Sequence, residues 1–254
     1  MSSIIQEQRD SAAIITLNRP EKFNALTGEM ILALGDIFSR LESQPKLRAV
    51  VLTGTGDKAF CGGTDSPGLT GASERELSEL VQALFSQIES SHVPVIAAVN
   101  GIAAGDGCKL TLACHLRIAS DNAQFTLPDT RSGVDARSEG TGHPACEFDE
   151  EGALELMRGK AVSAEEALRF GLINRVIPAA ELVAQAEDLA REISQLAPLA
   201  IRACLEAVTQ GNRLPLAEGL ALEAKLFAGL FDTNDVREGT SAFLEKRAPV
   251  FRGT

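Results

Sequence analysis

Short apolar runs alternate with longer amphipathic stretches along most of this chain. Residues 4–7 and 12–17 read as strands joined by a hairpin at Arg9–Ser11, because their apolar residues are compressed into a few extended positions. Asn18-Arg19-Pro20 breaks that pattern. From Gly28 to Glu42 the apolar residues Met30, Leu32, Leu34, Ile37, Phe38 and Leu41 recur at helical spacing, and Thr27 supplies an N-cap. Arg48–Thr53 is a continuous apolar strand ended by Gly54–Asp57, and a helix over 74–90 leads to a strand at 93–99. Cys108–Cys114 reads as helix, Leu116–Ala119 as strand, and Asn174–Pro178 as a turn before a linking helix over 181–196. Strands alternating with helices predict an α/β protein whose strands are buried on both faces.

The pattern changes near Pro198. Stretches 199–209, 216–231 and 236–245 are amphipathic helices whose apolar faces exceed what one tail buries alone, so they are expected to pack on the main body or on another subunit. The chain therefore divides into a core, 1–197, and a helical C-terminal region, 198–254.

Composition narrows the function classes. A formal charge of −11 argues against nucleic acid and against an anionic membrane surface. No apolar stretch approaches the roughly 18 residues of a spanning helix, and the N-terminus lacks a signal-peptide pattern. The five cysteines, at 61, 108, 114, 146 and 204, are scattered without a C-x-x-C pair. They read as reduced, buried thiols of a cytoplasmic protein, with no metal site implied. His92 and His115 are expected to be structural.

Two glycine turns carry the chemistry. Ala59–Asp65 (AFCGGTD) and, after the run 93–101, Ala104–Lys109 (AGDGCK) each close a strand. Taken singly, such glycines only make tight turns. Taken together, they allow the backbone N–H groups of Thr64 and Asp106 to converge on one oxygen, as a thioester carbonyl becoming an enolate requires.

Seven collinear segments then resemble one family over essentially the whole length: 15–26 (ITLNRPEKFNAL), 58–65 (KAFCGGTD), 94–101 (PVIAAVNG), 105–108 (GDGC), 113–120 (ACHLRIAS), 163–176 (SAEEALRFGLINRV) and 238–247 (EGTSAFLEKR). By these the chain is identified as a member of the crotonase (enoyl-CoA hydratase/isomerase) superfamily. The resemblance implies a spiral of ββα units with a C-terminal helical trimerisation region, assembled as a homotrimer or dimer of trimers. It implies an acyl-CoA substrate, with coenzyme A present only as part of the thioester and no permanent cofactor. Lys22, Ala25, Lys58, Gly62, Thr64 and Gly105 would line the CoA site, and Phe227 and Lys246 would come from a neighbouring subunit's tail.

The same resemblance marks departures. Hydratases of this superfamily hold a water between two glutamates. The first position here is Lys109 and the second is Asp129, which together read as a catalytic pair or as an ion pair without catalytic duty. Asp106 stands where glycine is common, and its carboxylate would oppose an enolate if aimed at one. The loop Ser132–Glu151 also departs; it is rich in small and acidic residues, and its Asp135, Glu139 and His143 are candidate replacement acids or bases. Hydration, isomerisation, decarboxylation and hydrolysis all stay open, as does a CoA-binding relative without catalysis.

Overall fold

The computed structural model describes residues 2–65, 72–127, 155–156 and 158–254. Asp129, the loop 132–151 with Asp135, Glu139 and His143, and Cys146 lie outside the described residues.

The chain enters as a hairpin. Strands β1 (Ile4–Arg9) and β2 (Ala12–Leu17) pair antiparallel across a turn in which Asp10 adopts a φ of 52°. Helix α1 (Gly28–Glu42) starts where Thr27 accepts a hydrogen bond from the Met30 N–H at 3.2 Å. Its buried residues are Met30, Ile31, Leu34, Ile37, Phe38 and Leu41. Leu32 is a correction, being 55% exposed. At about 100° per residue, position 32 falls on the side opposite the stripe that 30, 34, 37 and 41 define, and Ile31 lies nearer to it.

After α1 the chain winds between two sheets. Strand β3 (Ala49–Gly54) joins the first sheet and β4 (Ala59–Cys61) the second; α2 (Ala72–Glu89) returns the chain to β5 (Val95–Val99) in the first. Strand β6 (Ile102–Ala104) then enters the second sheet, followed by helix α3 (Asp106–Leu112). Strands β7 (Leu116–Ser120) and β8 (Gln124–Thr126) repeat the step. Strand β9 (Val162–Ser163), helix α4 (Ala164–Arg169) and β10 (Arg175–Ile177) close it. The large sheet has the order β1-β2-β3-β5-β7-β10 and the small one β4-β6-β8-β9. This alternation is the spiral of ββα units. Sequence periodicity missed β4, β6, β8 and β9 as separate strands and read β10 as a turn. Two or three residues are too few to display a period of two.

Both faces of the large sheet are covered. Leu17, Val50, Leu52, Ala97 and Val99 face α1, α2 and the small sheet in the main core. On the reverse face Ile14, Val51, Ile96 and Ile118 pack against Leu182, Ala186 and Ala190 of helix α5 (Leu182–Ser194). Each large aliphatic side chain so enclosed is worth about 1.5–3 kcal/mol, so the large sheet is a rigid base for the small sheet, whose strands β4 and β6 lead into the glycine turns.

Helices α6 (Pro198–Gly211), α7 (Leu216–Leu230) and α8 (Asn234–Glu245) follow, and α6 and α7 have no fully buried residue. Leu216, Leu220, Phe227, Phe231, Phe243 and Leu244 are all more than half exposed. The segment after α8 folds back on it. Buried Asp235 accepts from the Arg252 and Gly253 N–H groups at 2.8 and 2.9 Å, and Glu238 takes Arg247 in a two-pronged pair at 2.6 and 2.9 Å. Those bonds and the Val250 N–H hold the Glu238 carboxyl down to about 2.

Candidate active site

The site is built where the small sheet meets three loops. The first loop, 19–26, contains two consecutive left-handed residues, Phe23 (φ 52°) and Asn24 (φ 55°). Asn24 tolerates that backbone because its fully buried side chain is spent on it. Its Oδ1 accepts from the Arg19 N–H at 3.0 Å, and its Nδ2 donates to the Ala59 carbonyl at 2.7 Å and the Thr55 carbonyl at 3.1 Å. Buried Asn100 grips the same connection, donating to Gly56 O at 2.6 Å and accepting from the Gly54 N–H at 3.0 Å. Together these amides hold the 54–59 connection and hence the start of β4, with Lys58 exposed at its edge.

The turn after β4 then lies along the first loop. The Gly62 N–H donates to Phe23 O at 2.8 Å, Leu26 N–H to Gly63 O at 2.8 Å, and Asp65 N–H to Leu26 O at 2.7 Å. Arg19 closes the seam by donating to Ala25 O at 2.7 Å and pairing with Asp65 at 2.9 Å. Lys22, Ala25, Gly62 and Thr64 are thereby brought to one edge. Sequence reading did not assign Arg19, Asn24, Asp65 or Asn100 a role. Their signal was polar residues set within apolar runs, which become informative only once their partners, 31 to 46 positions away, are known.

The second glycine turn approaches the first from β6. Helix α3 packs so tightly on β4 that a methyl on Gly107 would sit 2.0 Å from the Cys61 carbonyl oxygen. A methyl on Gly63, where φ is +104°, would lie 3.1 Å from Ala104 O and 3.8 Å from the Asp106 nitrogen. The two turns are thus neighbours, and the first residues beyond their glycines are Thr64 and Asp106. Neither residue's N–H donates to a backbone carbonyl among the described residues.

Side chains complete the junction. The Thr64 hydroxyl donates to Asp106 Oδ2 at 2.5 Å, and Lys109, 3% exposed, sets its ammonium 3.4 Å from Asp106 Oδ1. The Asp106 carboxylate is therefore occupied on both oxygens by neighbouring side chains. An uncompensated carboxylate roughly 5 Å from a developing oxyanion would oppose it by about 3 kcal/mol at an effective dielectric constant near 20. The Lys109 ammonium, 3.4 Å from Oδ1, partly compensates that charge. Cys61, beneath the turn, is buried, and burial pushes its thiol up to about 12.

Other residues singled out by sequence fall elsewhere. Cys108 and Cys114 are buried, whereas Cys204 on α6 is exposed, which corrects the expectation of a buried thiol there. His115 is structural: Nδ1 accepts from the Val95 N–H at 3.0 Å while Nε2 faces Glu89 O at 3.2 Å. His92 lies on the surface with its Nε2 3.2 Å from an Arg202 nitrogen, before a strand that begins only at Val95. Phe227 on α7 packs edge-on to Phe231 and is 62% exposed. Lys246 caps α8 in a left-handed conformation, also exposed. Among the described residues no group of three or more His, Cys, Asp or Glu side chains is arranged to hold a metal, and no helix is long and apolar enough to cross a membrane.

A family model described as enoyl-CoA hydratase/isomerase matches residues 7–254. The chain belongs to this family. An (E)-benzylidenesuccinyl-CoA hydratase from Thauera aromatica is 39% identical over 97% of this chain and 98% of its own length. A crotonyl-CoA hydratase from Syntrophomonas wolfei is 34% identical, over 98% of this chain and 97% of its own. An enoyl-CoA hydratase structure from Bacillus anthracis superposes with a TM-score of 0.96 at 33% identity, each chain covered in full. The two alternating sheets with C-terminal helices are accordingly the crotonase fold, as the resemblance implied.

Proposed function

We propose that this family member is an acyl-CoA thioester enzyme of hydratase/isomerase type, acting through an enolate whose oxygen is held by the Thr64 and Asp106 N–H groups. One observation carries the reading. Two glycine turns from different strands meet so closely that Thr64 and Asp106 share a hydrogen bond, while their backbone N–H groups have no carbonyl partner among the described residues. Such preorganised donors act on charge as it develops and need no reorganisation. Lys22, Ala25, Lys58, Gly62 and Gly105 border these turns, and the two lysines suit CoA phosphates. Coenzyme A enters as part of the substrate. Phe227 and Lys246, exposed on the C-terminal helices, reach a neighbouring subunit's site in a homotrimer or dimer of trimers.

Water addition to an enoyl thioester is the reaction carried in the names of the relatives from Thauera aromatica and Syntrophomonas wolfei. A second reading, a CoA-binding relative without catalysis, is favoured by Lys109, which is buried against Asp106 at the first of the two glutamate positions. Calorimetric titration with acetyl-CoA beside a turnover panel of enoyl-, malonyl- and hydroxyacyl-CoA thioesters separates the two. The enzyme reading expects binding with turnover of at least one thioester. Binding without turnover supports the second reading, and no binding contradicts both.

A further inference from the structure

We propose that Asp106 is a positioning residue, and that its carboxylate, gripped by the Thr64 hydroxyl and the Lys109 ammonium, straps together the two glycine turns. The inference rests on the reading that those turns present the oxyanion donors. It adds a device built from side chains that face one another only in this fold, 42 positions apart for Thr64 and Asp106.

Backbone hydrogen bonds explain why a strap is needed. The β4–β6 ladder pairs Ala59 with Ile102 and Cys61 with Ala103, with a register shift between the two pairs. Beyond Cys61 each turn is tied to a different neighbour. The first is held to loop 19–26 through Leu26 N–H to Gly63 O and Asp65 N–H to Leu26 O, and the second to β8 through Gly105 N–H to Thr126 O at 2.9 Å. Among the described residues no backbone hydrogen bond joins 62–65 to 104–107. The Thr64–Asp106 bond spans that gap at 2.5 Å, the length of a charge-assisted O–H to carboxylate bond.

Lys109 supplies the other half. From one turn further along α3 its ammonium stands 3.4 Å from Oδ1, fixing the rotamer that aims Oδ2 at Thr64. The carboxylate is 12% exposed, so losing either partner leaves a largely buried charge less well compensated. Catalysis through two converging donors is sensitive to displacement on the order of 1 Å. Thus the strap acts on the geometry of the donors, through Asp106, and not on the substrate directly.

The test compares Thr64→Val, Asp106→Ala and Thr64→Ser with the wild-type protein by two readouts. The first, independent of turnover, is the rate at which iodoacetamide alkylates the Cys61 peptide, since Cys61 lies fully buried beneath the first turn. Alkylation should rise at least tenfold in Thr64→Val and Asp106→Ala and return close to wild type in Thr64→Ser, which keeps the hydroxyl. The second is turnover of whichever thioester the wild type accepts. There kcat should fall about 10- to 100-fold in the two strap-breaking variants while KM stays within about threefold, with Thr64→Ser restoring kcat. Should Asp106→Ala fail to fold, Thr64→Val and Thr64→Ser carry the comparison alone. Unchanged Cys61 alkylation in Thr64→Val overturns the strap. Raised alkylation with unchanged kcat overturns the positioning role. A wild type that turns over no thioester refutes the enzymatic reading, and the alkylation series then judges the strap alone.

Discussion

The Lys109 ammonium stands 3.4 Å from the Asp106 carboxylate within one short helix, in a setting where Lys109 is 3% exposed. That pairing changes how Lys109 reads. From sequence its expected counter-ion was Asp129, which lies outside the described residues; among the described residues Lys109 meets an acid on its own helix. Removing one member of such a pair leaves the other charge buried. Lys109→Met is therefore expected to lose roughly 3 kcal/mol of unfolding free energy. Urea denaturation measures this, and a loss near zero would mean that the pair is dispensable.

The pairing also determines which substitution can create a hydratase-like acid. Lys109→Glu alone would set two carboxylates one helical turn apart and remove the ammonium that compensates Asp106. Paired with Asp106→Gly, the new glutamate faces the site without that repulsion. We expect the double variant Asp106→Gly/Lys109→Glu to exceed Asp106→Gly alone, which lacks the same strap, in crotonyl-CoA hydration by at least about tenfold, equivalent to ~1.4 kcal/mol of barrier. A wild type that already hydrates crotonyl-CoA rapidly, and loses this in the double variant but not in Asp106→Gly alone, would make Lys109 part of a working site.

Much of this arrangement was legible in the chain. Helix α1 with its Thr27 cap, the apolar strands β3, β5 and β7, and the three C-terminal helices follow from apolar periodicity, since each is long enough for one period to dominate. The small sheet was not, because β4, β6, β8 and β9 have only two or three residues and owe their existence to pairing with distant partners. The glycine turns pointed to Thr64 and Asp106 as backbone donors, and the Asp106 carboxylate was legible only as a charge that would oppose an enolate. Their side-chain bond, and the Arg19–Asp65 and Asn24–Ala59 contacts that align the first loop, join residues 35 to 46 positions apart. No local pattern encodes such a distance.

Cys61 yields a prediction in pH. Burial raises its thiol from an ordinary 9.0 to about 12 in the folded chain. The unfolded chain therefore loses this proton first as pH rises, so the stability associated with the protonated thiol is intact below about pH 9 and is lost progressively toward pH 12. Urea midpoints should decline over that alkaline window, and Cys61→Ala should flatten the decline. An equal slope in the variant would show that other groups govern it.

The C-terminal helices predict assembly. Leu216, Leu220, Phe227, Phe231, Phe243 and Leu244 together expose more apolar surface than a lone tail tolerates in water. Light scattering at micromolar concentration should give a mass three or six times that of the 26.9 kDa chain. A stable monomer would remove the argument that Phe227 and Lys246 serve a neighbour's site.

The account stands most directly on where a thioester oxygen comes to rest. A crystal structure with acetyl-CoA measures this. It should place the thioester carbonyl oxygen about 2.7–3.1 Å from both the Thr64 and the Asp106 nitrogens, with the Asp106 carboxylate still turned toward Thr64 and Lys109. A carbonyl oxygen held elsewhere, or an Asp106 carboxylate rotated onto the thioester, would contradict it.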